Sequence, residues 1–173
     1  MTLDDESLIE VVERLRNRFF GKYRGVVTEV EAETMRIKAL VPAVLADQPS
    51  GWCRACAPFA GPGQGFAFLP EEGAGVWIEF EGGDVSYPIW SGGFWHDDQS
   101  PTGVGAAVRV IATRSGHRII LDDSDDGPSI TITDANDNVL VLEADGMTLQ
   151  RGDNTIVVTD ASVTINDGAL EVT

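Results

Sequence analysis

From about His117 to Thr173 the chain is a succession of short apolar alternations separated by acidic or glycine-containing turns. The runs are Ile130-Thr-Ile132, Val139-Leu-Val-Leu142, Met147-Thr-Leu149, Ile156-Val-Val158, Val163-Thr-Ile165 and Leu170-Glu-Val172. Their last apolar residues stand at positions 132, 142, 149, 158, 165 and 172, so the steps are 10, 7, 9, 7 and 7. Near-regular self-similarity at so short a period is the mark of a β-solenoid or β-helix, in which each strand gains its stability by stacking on its neighbours. Such a run reads as a shaft, and everything upstream reads as what holds it.

The charge narrows what the chain can bind. Twenty-eight Asp and Glu against twelve Lys and Arg leave a net charge of −16. Binding a phosphate backbone needs clustered Lys and Arg that displace counterions, so nucleic acid is not an expected partner. The same charge argues against a simple electrostatic attraction to anionic lipid. With 43% hydrophobic and 23% charged residues the composition is that of a folded globular protein. The acidic start, Met1-Thr-Leu-Asp-Asp-Glu6, lacks the basic and apolar regions of a signal peptide. No apolar run approaches the roughly 20 residues that span a bilayer. The expectation is synthesis in the cytoplasm, with any membrane met only after the protein is carried to it.

Residues 3–19 carry a helical pattern. Leu8, Val11, Val12, Leu15 and Phe19 fall at i, i+3, i+4, i+7 and i+11, which makes one apolar stripe. That stripe needs a surface to cover it: the chain's own body, a partner or further copies. From Gly21 to Trp95 the period becomes two, with expected strands at Tyr23–Val30, Met35–Val41, Gly51–Ala57, Gly75–Glu81 and Tyr87–Phe94. In the fourth of these, Val76, Ile78 and Phe80 share a face. Five short strands within about 75 residues suggest an OB-like barrel. Gly61-Pro-Gly-Gln-Gly65 lacks the Lys-Ser/Thr of a phosphate loop and reads as a turn. Cys53 and Cys56 form a lone C-x-x-C; zinc would want four ligands. Three apart on a strand they point to opposite faces, so both read as reduced, small apolar strand residues.

Several fragments, taken in order, carry a resemblance. They are Phe20-Gly-Lys-Tyr-Arg-Gly-Val-Val-Thr-Glu-Val30, Met35-Arg-Ile-Lys-Ala-Leu-Val-Pro42, and the stretch from Trp52 through Cys53, Cys56 and Pro58 to Gly61. Gly65-Phe-Ala-Phe-Leu-Pro-Glu-Glu-Gly73, Val76-Trp-Ile-Glu-Phe-Glu-Gly-Gly-Asp84 and Pro88-Ile-Trp-Ser-Gly-Gly93 follow. Over about residues 20–96 this resembles the OB-fold domain of the phage baseplate assembly protein V and VgrG spike family. Arg114-Ser-Gly-His-Arg-Ile-Ile-Leu-Asp-Asp123 is similar to that family's entry into its β-helix.

The resemblance implies an all-β protein: an N-terminal helix (1–20), a five-stranded OB-fold barrel as collar (21–96), a linker and first strand (97–113), and a spike (114–173). The spike would be an intertwined triple-stranded β-helix formed by a homotrimer. Its core would be Ile130, Ile132, Leu140, Leu142, Leu149, Ile156, Val158, Val163, Ile165, Leu170 and Val172, with Thr131, Thr133, Thr148 and Thr164 facing out. Leu8, Val11, Val12, Leu15 and Phe19 would dock on a baseplate hub protein. Leu170, Glu171, Val172 and Thr173 would meet a PAAR-like tip protein. Contact with the target membrane would be transient, and the protein would sit in the baseplate of a virion or injection particle.

Departures from the family pattern matter too. There is no room between Trp95 and Arg114 for the lysozyme-like domain that some members carry, and His96 and His117 do not form the C-terminal His-x-His pair of iron-tipped spikes. The run Asp122-Asp-Ser-Asp-Asp126 reads as a solvated turn, and no nucleophile elbow surrounds Ser115. Neither catalysis nor a cofactor or metal is therefore expected. The competing readings are an OB-type nucleic-acid binder, opposed by the absence of a basic cluster beside Trp52, Trp77, Trp90 and Trp95, and a tail-associated cell-wall hydrolase.

Overall fold

The computed structural model describes residues 5–172, apart from the side chains of residues 5–8, 10, 14 and 171. Two compact units follow one another, Met1–Gln99 and Ser100–Thr173, and their boundary lies inside the expected linker.

The first unit opens with helix α1 (Asp5–Arg16) and continues as strands β1 (Tyr23–Glu31), β2 (Arg36–Leu40), β3 (Arg54–Ala55), β4 (Ala60–Gly61), β5 (Gln64–Gly65), β6 (Gly75–Phe80) and β7 (Pro88–Phe94). A one-turn helix α2 (Pro42–Leu45) starts on the proline, whose fixed φ and missing N–H suit a first helical position. Five strands order as β2-β1-β6-β7-β3. Bridges Ile37↔Cys53 and Leu40↔Pro49 return the segment around β3 to β2. There the Cys53 N–H donates to the Ile37 carbonyl at 2.7 Å and the Ser50 N–H to the Ala39 carbonyl at 2.8 Å. The sheet thus closes on itself and leaves no free long edge. Irregularities in the β1/β2 and β6/β7 registers supply the bends that closure needs.

Alternation decides which side chains fill the barrel. In β6 the expected trio Val76, Ile78 and Phe80 is buried, together with Val27, Ile37, Ala39, Val41, Cys53 and Trp90. The Trp90 indole N–H donates to the Met35 carbonyl at 3.2 Å, so the one polar edge of that ring is satisfied. The third expected strand, Gly51–Ala57, is regular only over Arg54–Ala55. Proline and glycine on both sides (Pro49, Gly51, Pro58) hold the rest to single bridges.

The helix is shorter than its apolar spacing implied, and this removes Phe19 from the docking stripe. After Arg16 the chain turns, and the Phe19 N–H donates to the Gly83 carbonyl at 2.8 Å. The Phe19 ring meets Tyr23 and Phe80 edge-on, centroids 6.2 and 6.3 Å apart, and closes one end of the barrel core. Arg18 clamps the same corner through Asp84 at 3.1 Å.

The two cysteines part company, since β3 ends at Ala55. Cys53 is wholly buried beside Ser50 (Oγ to Sγ 3.2 Å), whereas Cys56 is exposed rather than a strand residue. Burial pushes the Cys53 thiol pKa up, outweighing the Ser50 hydrogen bond that pulls it down. A thiol-specific reagent should therefore modify one thiol per folded chain, at Cys56, and two after denaturation. Rapid modification of both in the native protein would contradict this placement.

The second unit is a single sheet. Strands β8 (Val108–Ala112), β9 (Arg118–Asp122), β10 (Ser129–Thr133), β11 (Val139–Glu143), β12 (Gly146–Arg151), β13 (Asn154–Val158), β14 (Val163–Ile165) and β15 (Leu170–Val172) lie side by side in chain order. Each pairs antiparallel with the next. The sheet begins at Val108, within the stretch 97–113 where a linker and first strand were expected. The repeats do not coil within one chain, because connections this short can only fold a strand back on its neighbour.

Candidate interaction surface

Strand register in this meander sorts its side chains onto two faces. Directly opposed residues share a face. One row runs Leu121, Ile130, Leu142, Met147, Val158, Val163, Val172. The next runs Ile111, Ile119, Ile132, Leu140, Leu149, Ile156, Ile165, Leu170. All eleven expected core residues lie in these two rows. Ile111, Ile119, Leu121 and Met147 lie there too and were not anticipated. The opposite face carries Thr131, Thr148 and Thr164 in register with Val141 and Val157, and Thr133 opposite Val139.

Within the second unit no described residue covers the apolar face. No described residue of 100–173 is buried, whereas the barrel holds a buried core of nine apolar residues. Leu149 is 54% exposed, Leu170 56% and Val172 61%. An uncovered apolar surface on this scale marks an interaction site. Covering some fifteen partly exposed aliphatic side chains is worth on the order of 10 kcal/mol per chain before the cost of association. The far end of the face is β15, where Leu170 and Val172 are exposed; the Glu171 side chain and Thr173, two of the expected tip contacts, lie outside the described residues.

The turns are built by short polar side chains. The Asp134 carboxylate accepts from the Asn138 side-chain amide at 2.6 Å and from the backbone N–H groups of Asn138 (3.0 Å) and Asn136 (2.8 Å). These bonds hold its pKa far below the usual carboxylate value, the Asn138 side chain contributing most. Ser124 acts likewise on Asp122, and in the barrel unit Ser86, backbone N–H first, acts on Asp84. A carboxyl whose folded pKa is depressed contributes stability that is fully present above its unfolded value, about 4, and lost as pH falls through the folded one. The thermal midpoint should thus fall on acidification below about pH 4, and less steeply in Asp134→Asn. A midpoint that rises on acidification would contradict the turn chemistry.

The barrel unit has exposed apolar features of its own. Val11, Val12 and Leu15 of the expected stripe are exposed on α1; the Leu8 side chain lies outside the described residues. Val11 and Leu15 border a shallow groove together with Phe20, which is exposed. The β4–β5 hairpin, where Gly61–Gly65 makes the expected turn, is flanked by exposed Phe59, Phe66 and Phe68, the last two with rings stacked at 4.5 Å. Sequence reading missed these rings as surface; the uncharged run from Ala55 to Pro70, broken by no Asp, Glu, Lys or Arg, was the available signal.

Comparison with known families divides the chain as the fold does. Residues 23–95 match the type VI secretion system/phage-baseplate injector OB domain, and residues 108–171 match the phage baseplate V C-terminal trimerisation domain. No curated protein matches the chain.

Proposed function

The chain belongs to the phage baseplate V family, and on that premise we propose that it is the central spike of a contractile phage tail or a related injection particle. Three chains associate through the apolar face of the meander, and the three OB barrels form a collar beneath a baseplate hub protein. The single observation that carries this is the pair of apolar rows, one across β9 to β15 and one across β8 to β15, on a sheet that has no core of its own among the described residues. Three copies turned inward give those rows a common core and leave the threonine and acidic side outward, a stiff and soluble shaft. Contraction of the tail drives it through the target envelope.

Attachment to the hub is assigned to the barrel unit, where Val11, Val12 and Leu15 lie exposed. A PAAR-like tip protein covers Leu170 and Val172, which end the two apolar rows on an edge strand. Arg36 and Arg54 border a groove with Trp52, and Arg24 lies over the rings of Trp77 and Phe94. Three cations of the first unit pair locally, Lys38 with Glu29 at 3.0 Å, Lys22 with Glu79 at 3.1 Å and Arg18 with Asp84. That pairing argues against an OB barrel that grips a phosphate backbone.

The test is made on particles. Contractile particles assembled without this chain should lack density at the baseplate tip and fail to permeabilise target cells, and adding the chain back should restore both. Particles of full activity and unchanged tip density without it would overturn the proposal.

A further inference from the structure

The two long edges of the meander differ in charge. One edge is made by the turns β8–β9, β10–β11, β12–β13 and β14–β15 and carries Arg114, Arg118 and Arg151 among its aspartates. The other is made by the turns β9–β10, β11–β12 and β13–β14. It carries the run from Asp122 to Asp126, then Glu143, Asp145 and Asp160, with Arg109 at the start of β8 as its one arginine, already paired with Asp123.

Symmetry decides which edges meet. One apolar row crosses all eight strands and the other crosses β9 to β15, so three copies that bury them share an axis along the direction in which the strands stack. A cyclic trimer has heterologous contacts, in which one edge of a chain always meets the other edge of the next. The mixed, arginine-bearing edge therefore lies along the acidic one at every seam. Rotation about the axis leaves height unchanged, so residues at the same level of the strand stack face each other.

Arg151 is the arginine best placed to use this. It ends β12 on the same face as Leu149 and borders the apolar groove that includes Leu140, Leu149 and Ile156. It is exposed and makes no ion pair among the described residues. It sits at the β12–β13 turn, and on the acidic edge the turns flanking that level are β11–β12, with Asp145, and β13–β14, with Asp160. We propose that Arg151 of one chain pairs with Asp145 and Asp160 of the next, closing each seam over the apolar core. Charge pairs of this kind contribute to register and to the exclusion of wrong pairings. The inference rests on the trimeric reading above.

Cysteine pairs separate the two claims. In a Cys56→Ser background, Arg151→Cys is combined with Asp145→Cys or with Asp160→Cys, the native mass is measured by light scattering, and the protein is oxidised under mild conditions. At least one pair should shift the denaturing-gel band from one chain to three, while Arg151→Cys alone stays at one. A trimeric mass with no cross-link from either pair overturns the seam and leaves the trimer standing. Cross-linking by Arg151→Cys alone also overturns it, since like edges would then meet. A one-chain mass for the unsubstituted protein overturns the trimer itself, and the seam with it. As an independent arm, Arg151→Glu should lower the temperature at which the trimer dissociates and Asp160→Lys in the same chain should restore it; no recovery would count against the pairing.

Discussion

Replacing Leu140 and Leu149 together by aspartate should separate the three chains without unfolding the barrel. The two leucines oppose each other in β11 and β12, in the middle of one apolar row. Each buried leucine is worth about 2 kcal/mol relative to exposure, and the trimer contains three copies of each. The substitution also places six carboxylates around one axis, where desolvation and mutual repulsion cost several kcal/mol more. The net loss exceeds what a protein association of ordinary strength can absorb. In a single chain Leu149 is exposed and Leu140 only half-buried, so the sheet need not unfold to accommodate the substitutions, and the barrel has its own core around Ile37, Val76 and Ile78. Sedimentation should show single chains, with thiol protection of Cys53 retained. Thr148→Asp, one residue away on the opposite face beside Val141 and Val157, should leave the trimer intact. Equal behaviour of the two faces would mean that the apolar rows are not what joins the chains.

The second large effect is expected at Gly146, where β12 begins. Its φ of +147° belongs to a region that side chains rarely occupy, and a Cβ there would overlap the Val158 carbonyl oxygen. Val158 pairs with Met147, so relief would require β13 to move off β12 in the middle of the meander. Gly146→Ala should therefore cost about 3 kcal/mol or more per chain, combining backbone strain with a clash against main chain that cannot swing away. Gly152 is the control: its φ is +57° and a Cβ there would meet nothing within 4 Å. Gly152→Ala should cost about 1 kcal/mol, the ordinary penalty of a left-handed alanine. Denaturant titration of the two variants measures the difference directly, and equal midpoints would refute the crowding at Gly146.

Much of the second unit was legible because hairpin strands with one apolar face show alternation residue by residue. That is why all eleven expected core positions fall in the two rows. The four missed positions have a physical reason. Ile111 follows Val110, and Ile119 and Leu121 flank Ile120, so β8 and β9 are apolar on both faces and their alternation is masked. Only the pairing Ile111↔Ile119↔Ile132 shows which side they take. Met147 was visible and passed over; its register opposite Leu142 places it.

In the barrel, the buried trio of β6 was readable for the same reason, but the end of α1 was not. Spacing alone carried the stripe on to Phe19, while the turn before Gly21 and the pull of Tyr23 and Phe80 on an aromatic ring moved that side chain to the barrel. The exposed phenylalanines around β4 and β5 escaped because aromatic residues are ordinarily read as core. Their surface position follows from a two-strand hairpin that no other strand pairs with.

The central claim is that the second unit acquires its core only between copies. Its most direct test is the absolute mass of the unsubstituted protein by light scattering at micromolar concentration, repeated on a denaturing gel run without boiling. The account predicts the mass of three chains in solution and a three-chain band that collapses to one on boiling. A monodisperse single chain, with the two apolar rows left in water, would contradict it.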